Sequence, residues 1–246
     1  MTPPEPRPEP PARDFRTTHW SLVLEAGVAS PSGHSALETL CRRYWYPLYA
    51  YARRRGLGPE QAEDLTQDFF ASLLAADSLA GVSPEKGRFR TFLLTALQHF
   101  LANERDRAGR LKRGGGRTII SLDALEPEAR YQIEPATSAP PEVLFDRQWA
   151  RALVAGVMEQ LQAESAHEGS AARFAVLRVF LAGEPADDSY AMLAAQLELS
   201  VPAVKSAIHR LRRRYGQLLR REIAHTVGSP AEVDGEIRHL FAALSA

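Results

Sequence analysis

Ser189–Gly216, SYAMLAAQLELSVPAVKSAIHRLRRRYG, is the stretch whose reading decides the fold of this chain. Two apolar helical patterns meet across a short break. The first runs from about Tyr190 to Leu197 and offers Met192, Leu193, Ala195 and Leu197 for packing, with the small Ala194 where two helices must cross closely. Glu198, Leu199 and Ser200 form the break. Ser200 is placed to cap the second helix, because its hydroxyl can accept an otherwise unpaired first-turn N–H. Pro202 fits that first turn, where a missing N–H costs nothing. Val204, Ile208, Leu211 and Tyr215 then recur at i, i+4, i+7 and i+11 and share one face. Lys205, Ser206, His209, Arg210, Arg212 and Arg213 occupy the rest. This is the spacing of a helix-turn-helix. Its second helix presents donors to base edges in the major groove and cations to phosphate. A charge run alone reads as a solvated bundle surface. Cap, turn, apolar stripe and one-sided charge together favour a recognition helix.

That charge is local. Seven cations and no acid lie between Lys205 and Arg221, yet the 246-residue chain has a formal net charge of +0. A general polyanion binder is net positive, so a nucleic-acid site here is confined. The length allows one large domain or two modest ones, and the 45% hydrophobic content is that of a folded soluble protein. The single cysteine, Cys41, excludes an intrachain disulfide, fits a reducing cytoplasm and reads as a packing residue rather than a reactive thiol. No stretch approaches the roughly 18 apolar residues of a membrane span. MTPPEPRPEPPARD lacks the apolar core of a signal peptide, and its alternation of proline with charge predicts a disordered tail over 1–13.

Outward from the opening stretch, helical patterns dominate. TTHWSLVLEAG predicts a short helix capped by Thr17 or Thr18 and ended by Gly27. ALETLCRRYWYPLYAYARRRG, from Ala36 to Gly56, predicts a second, with a kink or break at Pro47. In GPEQAEDLTQDFFASLLAAD, Pro59 suits a first turn, and Leu65, Phe69 and Leu73 repeat on one face. The loop SLAGVSPEKG precedes a helix in RFRTFLLTALQHFLANERDRAGR. Gly114, Gly115 and Gly116 end that pattern, and no sustained period returns before Pro141. PPEVLFDRQWARALVAGVMEQL and RFAVLRVFLAG predict two further helices, and PAEVDGEIRHLFAALSA a last amphipathic one. The expected fold is all-α: a helical domain over 14–110, a flexible linker over 111–141, a second helical domain over 142–224 carrying the helix-turn-helix, and a helical extension over 225–246.

Two segments of the first half give the helix-turn-helix a context. EDLTQDFFASLL followed by KGRFRTFLLTAL resembles region 2 of the sigma-70 family of bacterial RNA polymerase sigma factors. SYAMLAAQLELSVPAVKSAIHRLRRRY is similar to region 4 of that family. Their order, with a linker and no third domain between, resembles the extracytoplasmic-function (ECF) subgroup. The resemblance implies a sigma factor that brings core polymerase to specific promoters and promotes melting. It implies that Asp64, Gln67 and Asp68 dock on the β′ clamp helices, with the β subunit a further contact. It implies that the Lys205–Arg213 face reads the minus-thirty-five element. GRFRTFLL would be the melting element at minus-ten, with Lys86, Arg88 and Arg90 on the strand backbone and a ring, Phe89 in preference to Phe92, stacked on an unpaired base. The preceding loop would wall a pocket for a flipped base. The family often has Trp where this chain has Phe92, commonly Gly where it has Glu198, and Asn near His99. The C-terminal helix either packs on the second domain or meets a regulator such as an anti-sigma factor; packing is the expectation. A cytoplasmic, nucleoid-associated location follows from the resemblance.

Two other readings compete. A dimeric helix-turn-helix regulator with an unrelated N-terminal sensor would need a dimer surface and palindromic half-sites. An enzyme would need a constellation that is not found: no HExxH spacing occurs, the triple glycine lacks the following Gly-Lys-Ser/Thr of a phosphate loop, and the histidines are scattered. No cofactor, metal or catalytic residue is expected.

Overall fold

The computed structural model describes Leu22, Glu25 and residues 30–74, 87–108, 127–134, 138–181 and 187–245. The tail 1–13, the triple glycine, Lys86 and all but Gly87 of the loop before it lie outside the described residues, as does the helix expected near Thr17–Gly27 apart from Leu22 and Glu25, both helical. Every regular element among the described residues is helical.

Helix α1 (Pro31–Arg54) starts with Pro31 after Ser30, whose hydroxyl accepts the Gly33 N–H at 3.0 Å. It starts ahead of Ala36 because that cap and the proline fit a first turn. It also runs on through Pro47, where a kink or a break was expected. The reason is packing: Tyr44, Leu48, Tyr49 and Tyr51 are all buried around the proline. Burying a large side chain contributes about 1.5–3 kcal/mol, so several of them outweigh the roughly 3 kcal/mol of an interior proline. Gly56, at φ +90°, closes α1, with the Leu57 N–H reaching back to the Ala52 carbonyl at 3.3 Å.

Helices α2 (Pro59–Leu74) and α3 (Phe89–Ala108) pack with α1. Part of the expected linker is structured. Helix α4 (Pro127–Gln132) lies on α1, where Glu128 accepts from Arg53 Nε at 2.9 Å and from the Tyr49 hydroxyl at 2.5 Å. Tyr46 donates to Glu134, and the Arg130 guanidinium lies 3.7 Å from the Tyr46 ring centroid. Helix α5 (Pro141–His167) follows, burying Leu144, Phe145, Trp149, Leu153, Val157 and Leu161 along one side. Then come α6 (Ala171–Leu177), a 3-10 turn (Arg178–Phe180), α7 (Asp187–Gln196), α8 (Val201–Ala224), a 3-10 turn (Pro230–Glu232) and α9 (Val233–Ser245).

Among the described residues the two halves share a core. One continuous buried cluster runs from Leu40 of α1 through Phe145 and Trp149 of α5 to Leu240 of α9. The N–H of Phe89 donates to the Thr226 carbonyl at 3.0 Å, across the two halves. Aromatic residues make this seam, because Tyr44, Phe89 and Trp149 each bring a large apolar area to one place. A smaller cluster, with Leu177, Leu193, Ala194, Val204, Ala207 and Ile208, joins α7 to α8. Cys41 is fully buried, and desolvation pushes its thiol up to about 12, as a packing residue requires.

Candidate nucleic-acid interface

The α7–α8 pair is built as its sequence implies at its centre. The Ser200 hydroxyl accepts the Ala203 N–H at 3.3 Å, and Pro202 sits in the first turn of α8. Val204 and Ile208 are buried, Leu211 and Tyr215 half-buried. Between the helices, the Leu199 N–H donates to the Ala194 carbonyl at 2.9 Å and the Glu198 N–H to the Ala195 carbonyl at 3.4 Å. That pair of bonds is a Schellman ending. It puts Glu198 at φ +53°, a left-handed backbone normally left to glycine. Leu193 and Ala194 pack as expected, but Met192 is 73% exposed and Ala195 is exposed. The inward positions are Tyr190, Leu193, Ala194 and Leu197, a spacing of three and four that the reading of Met192 and Ala195 did not follow.

The basic run divides. Lys205, Ser206, His209, Arg210 and Arg213 are exposed, with the Lys205 ammonium 4.9 Å from the Tyr190 ring centroid. Arg212, expected on the DNA side, is half-buried, and its Nε donates to the Phe180 carbonyl at 2.9 Å. It braces α8 against the 3-10 turn. Arg214 grips Glu164 of α5 through two bonds of 2.7 Å, and this holds the Glu164 carboxyl below its ordinary range. Arg220 donates to Asp234 at 2.5 Å. These last two partners lie too far away in sequence to be read from it.

In the first half, Asp64, Gln67 and Asp68 sit at i, i+3 and i+4 on the outer side of α2, Asp64 exposed and the other two half-buried. The inner side is Ala62, Leu65, Thr66, Phe69 and Phe70, all buried, with the Thr66 hydroxyl donating to the Ala62 carbonyl at 2.7 Å.

The start of α3 departs from expectation. Phe89, preferred as the DNA-facing ring, is 0% exposed and meets Tyr44 edge-on, 5.2 Å between centroids. Phe92 is the ring of the pair that reaches the surface. It lines a groove of about 510 Å³ between α2 and α3 with Phe69, Leu73, Thr95, His99 and Phe100. Arg90, expected on a strand backbone, is 6% exposed. Its Nε donates to Glu236 of α9 and its Nη1 to Asp146 of α5, each at 2.7 Å, and its guanidinium lies 5.0 Å from the Trp149 ring centroid. Arg88 is partly exposed and reaches the same Glu236 at 2.9 Å. His239 Nε2 lies 3.0 Å from Asp146. Both outcomes share one cause: the alternation of Arg and Phe at 88–90 does not say which distant neighbours arrive, Tyr44 from upstream and Asp146 and Glu236 from downstream. Glu236 is 0% exposed. Burying a carboxylate is costly without cations, and two arginines supply them.

Among the described residues, no group of three His, Cys, Asp or Glu side chains could hold a metal ion. No described helix is long and apolar enough to cross a membrane. Residues 40–111 match the family model described as Sigma-70 region 2. No curated protein and no solved structure matches the chain. The matched span covers α1 from Leu40, α2 and α3, the elements that carry the acidic-amide face and the Phe92 groove. Over that span, under a third of the chain, the protein is similar to Sigma-70 region 2.

Proposed function

We propose that the chain acts as an ECF-type sigma factor, with α7 and α8 forming a region 4 helix-turn-helix that reads the minus-thirty-five element. The exposed Lys205–Arg213 face of α8 carries this reading, since it stands at the capped N-terminal half of a helix in the same chain as a region 2. That half of a recognition helix is the part that meets base edges. Asp64, Gln67 and Asp68 contact the β′ clamp helices, and the β subunit meets the second half. Phe92, with its groove, is the ring offered to an unpaired base of the minus-ten element, and Arg88 and Lys86 are the cations assigned to the strand backbone. The chain makes and breaks no bond. Binding energy to two separated DNA elements stabilises the melted state, and polymerase does the chemistry.

The test is transcription in vitro from a genomic promoter library with core polymerase and this chain. Initiation at promoters that share two spaced elements is expected. No initiation, together with binding of the chain alone to a palindrome, would establish a dimeric regulator instead and reject the proposal.

A further inference from the structure

We propose that the cleft between α5, α6 and α8 binds a small aromatic carboxylate, and that its occupant withdraws Arg210 from DNA. The binding site stands on its own geometry; the consequence for DNA rests on the helix-turn-helix reading above.

The cleft lies where the two apolar clusters meet. Leu161 and Phe174 belong to the main core, Leu177 and Ala207 to the smaller cluster, and Leu211 packs against both. Together they form an apolar floor held by packing on either side. The volume is about 290 Å³. Ligand sites usually span roughly 300–1,000 Å³, so this one suits a molecule of one or two fused rings.

The rim supplies polar recognition. It carries three arginines, Arg173, Arg210 and Arg214, against two glutamates, Glu164 and Glu168, a formal net charge of +1. Arg214 and Glu164 satisfy each other through two bonds of 2.7 Å. Arg173 of α6 and Arg210 of α8 are exposed, and neither pairs with another described residue. The charge balance selects a monoanion. A guanidinium binds a carboxylate through two parallel N–H···O bonds, which gives the pair direction as well as strength. The Ser170 hydroxyl is already donated to the Ser165 carbonyl at 3.1 Å, whereas the two arginines keep all their donors. A ring on the floor and a carboxylate at the rim use what the cleft leaves unpaired.

Arg210 ties the cleft to function, because it also stands on the exposed basic face of α8. A carboxylate held by Arg210 occupies donors that a base edge requires. Ligand and DNA then lower each other's affinity by the same factor. No residue of α2 lines the cleft, so the face with Asp64, Gln67 and Asp68 is untouched. The occupant weakens promoter choice and leaves core binding as it was.

The experiment titrates the full chain, followed by amide NMR, with indole-3-acetate, its neutral amide and inorganic phosphate. Indole-3-acetate should shift the signals of Arg173, Phe174 and Arg210 with a roughly millimolar Kd, the range open to a ligand of this size. The amide should bind roughly tenfold more weakly, having lost a charge-assisted pair. Arg173→Ala should weaken the acid by a similar factor and leave the amide unchanged, which separates recognition of charge from packing on the floor. Acid and amide binding alike, or no saturable shift at the cleft, overturns the proposal. Phosphate binding as tightly as the acid overturns the aromatic class. In parallel, holoenzyme saturated with indole-3-acetate should bind its preferred promoter several-fold more weakly, and Arg173→Ala should relieve the effect. If the acid binds as expected and promoter affinity does not change, the site stands and Arg210 is removed from the DNA contact, so the two failures are told apart.

Discussion

Glu198→Gly is expected to stabilise this protein. The residue sits at φ +53°, closing α7 in a Schellman ending. A side chain with a Cβ pays roughly 1–2 kcal/mol in the left-handed region. Glycine there avoids that, but loses about 0.5–1 kcal/mol more backbone freedom on folding. The difference leaves a gain of about 0.5–1 kcal/mol. Glu198 is exposed, so little packing is forfeited. The chain contains its own control. Gly56 ends α1 with the same pair of reverse hydrogen bonds, from Gly56 to Arg53 at 3.0 Å and from Leu57 to Ala52 at 3.3 Å. Its φ is +90°, and a Cβ built there meets nothing within 4 Å. Gly56→Ala should therefore cost about 1 kcal/mol through backbone strain alone. In calorimetry the first change should raise Tm by roughly 1–4 °C and the second lower it by a similar amount, as expected for a chain of this size. A fall in Tm for Glu198→Gly, in a variant with unchanged helix content, would show that its side chain makes a contact worth more than the strain. The argument from φ would then be wrong.

Other substitutions address function. Arg210→Ala should cost about 1–3 kcal/mol at the preferred promoter, the worth of a base contact, while Lys205→Ala should weaken all promoters alike; footprints with unaltered polymerase binding check both. Asp64→Ala with Gln67→Ala should weaken core binding by roughly tenfold, as loss of a charged hydrogen bond implies, and a pull-down at wild-type strength removes the face from the polymerase contact. The anchoring of α4 should depend on acid pH. Arg53, first, and then the Tyr49 hydroxyl hold the Glu128 carboxyl below its ordinary range. A carboxylate depressed by folding adds stability that is complete above its unfolded value, about 4.3, and is lost as pH falls through the folded value. The Tyr131 ring, 4.9 Å from the Arg53 guanidinium carbon, should therefore show its NMR shift change only below that unfolded value. In Arg53→Ala the dependence should move up toward pH 4.3.

Periodicity made the helices legible, and capping made some of their ends legible. Pro59, Ser200 and the stripe Val204–Tyr215 are local signals, read by rules that span one or two turns. At Pro47 the helix does not break, because the local rule is true but outweighed: the neighbouring tyrosines and leucines bring more burial than the proline removes. The short helix α4 was not legible for a related reason. Residues 127–134 have no apolar period, yet α4 is held by Glu128, Tyr131 and Glu134, polar and aromatic groups matched to Arg53, Tyr49 and Tyr46. At the candidate interface, the exposed half of α8 and the outer side of α2 could be read from helical spacing. The fates of Phe89, Arg90 and Arg212 could not, because each is decided by a partner from a distant segment.

The structure also explains how a neutral chain keeps a basic helix, and this has a measurable consequence. The cations of α8 are not one uniform stripe. Arg214 and Arg220 are matched to Glu164 and Asp234, and Arg212 is spent on a carbonyl. What remains outward at the N-terminal half is Lys205, Arg210 and Arg213. The C-terminal cations also lie where a helix favours positive charge. DNA affinity of a holoenzyme should then respond to salt through the outward three rather than through the whole run. Each phosphate contact contributes about 0.9 to the slope of log K against log salt. Lys205→Ala, if Lys205 contacts phosphate, should lower the slope by about that amount. Arg214→Ala and Arg220→Ala should leave it unchanged, although Arg214→Ala frees Glu164 and should lower thermal stability. A slope that falls equally for all three would mean that the acids release their arginines on DNA, and that neutrality is only a property of the unbound chain.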